Sequence, residues 1–478
     1  MKKLTADGLK QLEELTEKIM EDSGARGIAI GIVNAKGEIQ YEKYFGWRDA
    51  EKKLPINRDT VFGMASVTKS ITSLAIMQMQ MEGILSVEDP VRDYIPEFSN
   101  KGQKELVRIW HLLCHSGGFF PLPRIVVDKT AQEMGIEDSL DQELIYRDDF
   151  ADEGVRRVAN RLDNQTRFTG RPGQRLSYCN DGFGLLSDIV RRHSDCRSFA
   201  EYLDKHILKP LDMTRSNISF IGNSLDENAS VLYTKENGKW RADKDFQNNA
   251  FVLHGGGGLK STLGDMMKYA VMYLNQGMGQ NGTRIIDKYS IEEMCKPRQV
   301  MKPGVYYGYG LESSQMGDIT VIEHGGSLPG VSSNFAFAPQ AEAGVVVLCN
   351  TMDVPAYAIS EAAMRLCCGL PVENKRPDHQ KRCWTGEEKE QITGTYVSGE
   401  GDTFTIREDK DGELLLTLNG TETKVMSIAP WQGCVCKKYT DVYLTVFRDE
   451  NQKVFCAQCG SRIFPKTMSE EEWDKVRL

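Results

Sequence analysis

The sequence predicts an α+β fold. One antiparallel sheet is assembled from both ends of a large first domain, with a helical block inserted between its halves, and a small all-β, barrel-like domain follows. Three observations carry this reading. Strand patterns occur at residues 27–33 and 38–45 and return at 304–311, 319–323, 331–338 and 344–350. Between about residues 64 and 300 the apolar period is helical. Beyond a polar stretch at 371–389 the period switches to two.

The elements follow in order. Residues 5–22 place Leu9, Leu12, Leu15, Ile19 and Met20 on one helical stripe. Two strands come next, joined through Ala35-Lys36-Gly37. In the helical block, residues 66–81 form a helix that stops near Gly83, and 199–208 and 264–275 form two more. The second set of strands and a helix at 355–368 close a domain spanning 1–370. Residues 371–389, with Lys375, Arg376, Pro377, His379, Lys381 and Arg382, read as a linker. Short alternating runs at 394–397, 403–407, 413–418, 422–426, 443–447 and 453–456 then make a β-domain over 390–478. Asp411-Gly412 and Asn419-Gly420 supply its hairpin turns.

Composition narrows the function classes. Forty per cent apolar and 27% charged residues exclude wholesale disorder in a chain of 478. Lys+Arg number 59 against 68 Asp+Glu, a net charge of −9, which argues against a dedicated nucleic-acid binder, since that would need a basic face. No apolar run reaches the ~18 residues of a membrane span. Met1-Lys2-Lys3 opens like a signal peptide, but Asp7, Lys10, Glu13 and Glu14 interrupt any apolar core behind it. The expectation is a cytoplasmic enzyme, with no nucleic-acid or membrane partner and no preferred oligomeric state. Twelve cysteines at irregular spacing read as reduced thiols rather than a disulfide framework. Cys434, Cys436, Cys456 and Cys459 form two pairs that a zinc ion could use; packed strand cysteines are the favoured reading, with no metal or other cofactor expected.

Three motifs could carry chemistry. In Ser66-Val67-Thr68-Lys69, residues i and i+3 share a helix face, so the lysine reaches the serine hydroxyl. A serine is a weak nucleophile until a base takes its proton, and a partly buried lysine can be that base. Tyr178-Cys179-Asn180 follows a Pro172-Gly173 turn; its tyrosine can move protons and its asparagine can hold a carbonyl. Tyr273-Leu274-Asn275 has the same spacing but lies in an apolar helix, where Tyr273 reads as a core aromatic. His-x-Gly occurs at His115, His254 and His324. Only His324-Gly325-Gly326-Ser327 lies between strand patterns. There the glycines admit a substrate backbone and the Ser327 amide can help bind an oxyanion. His115 and His254 read as structural, and Gly255–Gly258 lacks the lysine spacing of a phosphate loop.

Seven ordered blocks within residues 25–370 point to a family. They are residues 62–70 around Ser66, 83–90, 109–118, Tyr178-Cys179-Asn180, 209–214, 257–262 and His324-Gly325-Gly326. With them the chain resembles the serine β-lactamase-related hydrolases, the group of class C β-lactamases, D-alanyl-D-alanine carboxypeptidases and EstB-type esterases. The resemblance implies a β-lactamase/transpeptidase-like fold and an acyl-enzyme on Ser66. It implies Lys69 and Tyr178 as the proton-transfer pair and Asn180 as a substrate contact. His324 takes the place of the Lys in the Lys-Thr-Gly of penicillin-binding proteins, which removes a fixed cation. The final β-domain is similar to the lipocalin-like extensions of some relatives. The implied substrate is a small molecule or short peptide: an ester, a small amide or a D-amino-acid-containing peptide. Acyl transfer is the alternative, and a catalytically inactive binding protein the third possibility.

Overall fold

The computed structural model describes residues 1–123, 127–137, 144, 147–218, 226–244, 246, 253–374, 379, 382–418 and 420–477. Asn419 and the linker residues 375–378, 380 and 381 lie outside the described residues.

Helix α1 (Ala6–Ser23) starts at Thr5, whose side chain accepts from the Gly8 amide, and ends at Gly24 in the left-handed conformation. Strands β1 (Gly27–Asn34), β2 (Ile39–Asp49) and β3 (Leu54–Pro55) follow. The helical block holds α2 (Thr68–Met81), α3 (Asn180–His193) and α4 (Leu263–Leu274). Strands β4 (Gln299–Lys302), β5 (Val305–Tyr307), β6 (Glu312–Met316), β7 (Ile319–Leu328), β8 (Val331–Ala338) and β9 (Ala343–Cys349) precede α5 (Ala356–Cys367). These strands form a nine-stranded antiparallel sheet of order β3-β2-β1-β9-β8-β7-β6-β5-β4. The two ends of the domain meet where β1 pairs β9, from Ile28 opposite Cys349 to Asn34 opposite Ala343.

Both faces of the central strands are buried, which explains their near-continuous apolar sequence. Ile28, Ile30, Ile32, Val345 and Val347 pack on α1 and α5 through Leu12, Ile19, Ile359 and Ala363. Ala29, Val33, Val346, Phe335 and Phe337 face the helical block, where Tyr273 stacks on Phe337. Tyr273 is thus the core aromatic its helix predicts, 1% exposed.

Several elements differ from the sequence expectation. The run at 304–311 is not one strand: β5 ends at Tyr307 and β6 begins at Glu312. Gly310, at φ +66°, passes so close to α2 that a Cβ would lie 2.5 Å from the Lys69 carbonyl oxygen. Strand β7 continues through His324-Gly325-Gly326, which lies within a strand rather than between two. The end of the linker is helical, Gly386–Ile392, because Thr385 and Glu388 form a capping box. Periodicity also missed the helix Asp148–Asp163 and α3 itself.

The C-terminal region consists of small antiparallel sheets. Strands β10 (Gly394–Val397), β11 (Thr403–Glu408), β12 (Leu414–Leu418) and β13 (Thr421–Lys424) form one meander. Strands β14 (Met426–Ala429), β15 (Gln432–Cys436), β16 (Asp441–Arg448), β17 (Val454–Cys459) and β18 (Arg462–Pro465) form the other. Tyr396, Phe404, Leu416, Val435, Leu444 and Phe464 make a core common to both. The alternating runs left out β14 and β18, and β15 was implied only by its strand cysteines.

Candidate active site

Ser66 lies in a single 3₁₀ turn, Ala65–Val67, that runs into α2. Ala65 before it has φ +47°, a conformation that costs an L-residue energy and persists only when its surroundings impose it. Those surroundings are visible. The Ser333 hydroxyl on β8 donates to the Met64 carbonyl at 2.8 Å, and the Thr68 hydroxyl donates to the Ala65 carbonyl at 2.6 Å. Gly326 on β7 lets the sheet press against this turn, since a Cβ there would lie 2.3 Å from the Met64 carbonyl oxygen. Beyond Glu323, β7 has lost its β6 partner, so residues 324–328 form an edge beside the Ser66 turn. Ser327 on that edge is exposed, and Gly325 and Gly326 are half-buried.

One helical turn after Ser66, Lys69 is fully buried (0% exposed). Its Nζ makes three contacts: Ser66 Oγ at 3.2 Å, Asn180 Oδ1 at 2.8 Å and the Gly256 carbonyl at 2.5 Å. Asn180 is the first residue of α3, and Gly256 belongs to the short helix Leu253–Gly257. The four-glycine run therefore serves the site through a backbone carbonyl, which no side-chain motif announces. Burial is the main reason that Lys69 is held well below the usual ammonium range.

Tyr178 precedes α3 in irregular backbone, buried, with its ring centroid 4.7 Å from Lys69 Nζ. Burial raises its phenol above the usual value, while the Ser66 hydroxyl beside it pulls the other way. The structure thus brings together Ser66, Lys69, Tyr178 and Asn180, with Gly325, Gly326 and Ser327 on the bordering strand.

His324 is 2% exposed, and both its ring nitrogens are engaged within the protein. Nε2 meets the Tyr307 hydroxyl at 2.8 Å and Nδ1 meets the Gly325 carbonyl at 2.6 Å. The Tyr307 hydroxyl also contacts His115 Nε2 at 3.2 Å, and His115 Nδ1 accepts the Cys179 amide at 3.1 Å. Burial depresses both imidazoles, His324 to about 3. His115, 2% exposed, sits behind the site; Tyr307 carried no sequence signal beyond its strand.

The C-terminal sheets also contribute, through residues that the sequence did not single out. The hairpin β17–β18 brings Ser461 and Arg462 to the Tyr178 loop. The Tyr178 amide donates to the Ser461 carbonyl at 2.9 Å, and the Arg462 guanidinium lies 5.1 Å from the Tyr178 ring centroid. Gly460 marks this turn in the sequence, but nothing there shows where the hairpin docks.

Candidate metal ligands lie elsewhere. Among the described residues, Asp195, Cys196 and His206 form one group and His379, Cys434 and Asp441 another; neither includes a residue of the Ser66 cluster. Cys434 and Cys436 sit on β15, and Cys456 and Cys459 on β17, with β16 between them. The two outer strands are therefore about 10 Å apart, and the register offsets Cys456, opposite Phe447, along the sheet from Cys434, opposite Tyr443. No disulfide joins any of the twelve cysteines.

A sheet covered by helices on both faces, with a serine–lysine turn at its edge and a tyrosine–asparagine loop opposite, defines the serine β-lactamase and penicillin-binding protein class of fold. The chain belongs to the Beta-lactamase family, whose model matches residues 12–366. It is 25% identical over 370 residues to Protein flp of Staphylococcus aureus (strain MW2), covering 73% of this chain and 64% of that one. It is also 25% identical over 323 residues to the human mitochondrial serine beta-lactamase-like protein LACTB, covering 56% of this chain and 57% of LACTB. The chain thus spans less than two thirds of the length of these relatives. An octameric penicillin-binding protein homologue from Pyrococcus abyssi superposes with a TM-score of 0.65 at 25% identity, over 95% of this chain and 99% of that one. No helix among the described residues is long and apolar enough to cross a membrane.

Proposed function

We propose that the chain is a serine hydrolase that works through an acyl-enzyme on Ser66 and turns over an ester, a small amide or a short D-amino-acid-containing peptide. The observation that carries this is the set of three partners around Lys69 Nζ. A neutral amine has two N–H bonds and one lone pair. Asn180 Oδ1 and the Gly256 carbonyl are acceptors only, so they take both hydrogens and leave the lone pair directed at the Ser66 hydroxyl. The depressed proton affinity of Lys69 supports the same assignment.

Lys69 and Tyr178 are driven in opposite directions, one toward the neutral amine and the other toward the neutral phenol. Lys69 acts as base and accepts the Ser66 proton as Oγ bonds to the substrate carbonyl carbon. The oxyanion rests on the Ser66 and Ser327 amides. As the leaving-group bond breaks, Tyr178 delivers a proton to the departing atom and recovers one from Lys69. Water then attacks the ester, its proton passing back along the same pair, and Ser66 is released. The irregular spacing of the twelve cysteines supports a reducing, cytoplasmic setting.

Neutral, internally bonded His324 offers no fixed positive charge to a carboxylate. We therefore expect esters and small amides to be better substrates than β-lactams. A panel of p-nitrophenyl esters, D-amino-acid amides and nitrocefin tests this, with and without an added alcohol or amine acceptor. Nitrocefin turnover equal to the best ester would overturn the substrate assignment, and product formed only with the acceptor would make the enzyme a transferase.

A further inference from the structure

Two basic side chains share the ring of Tyr178: Lys69 Nζ from the helical block and the Arg462 guanidinium from the C-terminal sheets. Arg462 is held there by its own backbone. Ser461 before it accepts the Tyr178 amide at 2.9 Å, and the Ile463 amide after it donates to the Ser177 hydroxyl at 3.3 Å. Its counter-ion comes from the other meander. Glu400, in the connection between β10 and β11, pairs with Arg462 through both carboxylate oxygens. Gly399 beside it lies against the first domain so closely that a Cβ would be 2.1 Å from the Pro121 carbonyl oxygen. The ion pair is therefore anchored to the site from two directions rather than carried on a free side chain.

We propose that Arg462 is a positioning residue of the acylation site, whose fixed charge, tempered by Glu400, keeps Lys69 in the neutral form that can take the Ser66 proton. The proposal rests on Ser66 being the nucleophile. Its physical basis is that a buried ammonium gains nothing from a second cation across one aromatic ring, so the neutral amine is favoured. Burial is the first cause of the depressed proton affinity of Lys69 and Arg462 the second, while Glu400 and the Cys179 thiol oppose them. Of the other ionisable groups around the cluster, two carboxyls titrate near neutral pH and the rest are uncharged. Tyr178 stays a phenol, His115 and His324 stay unprotonated, and burial raises Asp181 on α3 and Glu312 on β6 to about 7. Arg462 and Glu400 are thus the permanent charges that set the balance, and they act in opposite directions. A residue that merely held the hairpin in place would have no such signature.

The test is the rate of Ser66 modification by a fluorophosphonate, read by intact mass between pH 5 and 10 in the full-length chain. Arg462→Gln should move the acidic limb of the rate profile upward by about one pH unit, a roughly tenfold loss on the acid side that vanishes at high pH. Glu400→Gln should move it downward, and Arg462→Lys should restore the wild-type midpoint. If Arg462→Gln labels with an unchanged midpoint, or both substitutions shift it the same way, the proposal fails although Ser66 remains the nucleophile. If Arg462→Gln does not fold, Glu400→Gln decides alone: an unmoved or raised midpoint overturns the proposal. Wild-type protein that is not modified on Ser66 at any pH would instead sink the acyl-enzyme reading.

Discussion

Tyr307 donates to His324 across 2.8 Å, and the direction of that bond is set three groups away. The Cys179 backbone amide can only donate, so His115 Nδ1 must accept and His115 Nε2 carries the proton. Nε2–H then donates to the Tyr307 oxygen, the Tyr307 hydroxyl donates to His324 Nε2, and His324 Nδ1–H donates to the Gly325 carbonyl. One backbone N–H thereby selects the tautomers of two histidines and ties the Tyr178-Cys179-Asn180 loop to the β7 edge. Both imidazoles must stay neutral for every bond to be made, in keeping with their depressed proton affinity.

Replacing Tyr307 by Phe cuts this chain and strands a buried donor on His115 and a buried acceptor on His324. Each unpaired group costs about 1–3 kcal/mol. The expected outcome is a folded protein with a lower unfolding midpoint and a several-fold slower acylation rate. Unchanged values of both in denaturant titration and probe labelling would show that the chain carries no weight.

Ser66→Ala removes the proposed nucleophile. Labelling by a fluorophosphonate should vanish, and turnover of the best ester should fall by at least ~10³-fold. Lys69→Ala should leave a folded protein with turnover reduced to a similar extent, because serine and base act as one unit. Tyr273→Phe, a core change whose hydroxyl meets Tyr269 rather than Ser66 or Lys69, should leave kcat/KM within about threefold of wild type. Full activity in Ser66→Ala would refute the proposed function.

Gly326 and Gly325 are adjacent yet should respond differently. A Cβ at Gly326 meets the Met64 carbonyl and Ser333 Oγ, each at 2.3 Å, whereas a Cβ at Gly325 meets nothing nearer than 3.8 Å. Gly326→Ala must push β7 away from the Ser66 turn, so kcat should fall by about tenfold or more together with thermal stability. Gly325→Ala should retain stability. Equal melting temperatures for the two variants would contradict this account of the strand-to-turn contact.

Glu323 sets an alkaline limit on stability. It is 7% exposed, and burial, then Glu312, raises its carboxyl to about 8. The unfolded carboxyl loses its proton near the ordinary value of about 4.3. Between these values the folded state binds the extra proton, so unfolding free energy falls as pH rises and the loss is complete above about 8. Urea titrations should show this decline between pH 5 and 9 in wild type and a flatter profile in Glu323→Gln. A wild-type curve rising across that range would contradict the sign.

Local order in the chain determined much of this molecule. The strand–helix–strand succession, the apolar faces of β1 and β9 and the Ser66, Lys69, Tyr178 and Asn180 motifs were all legible, because periodicity and i, i+3 spacing are short-range properties. What only the tertiary structure decided are the contacts between segments distant in sequence. The Gly256 carbonyl completes the Lys69 site, Tyr307 joins two histidines, and Arg462 arrives on a hairpin that periodicity did not reveal. None of these follows from residue type. A carbonyl is present at every position, a buried tyrosine usually fills a core, and an arginine in a short strand usually faces water. Their roles come from the free energy of docking one element on another, and a linear pattern carries no record of which surfaces meet.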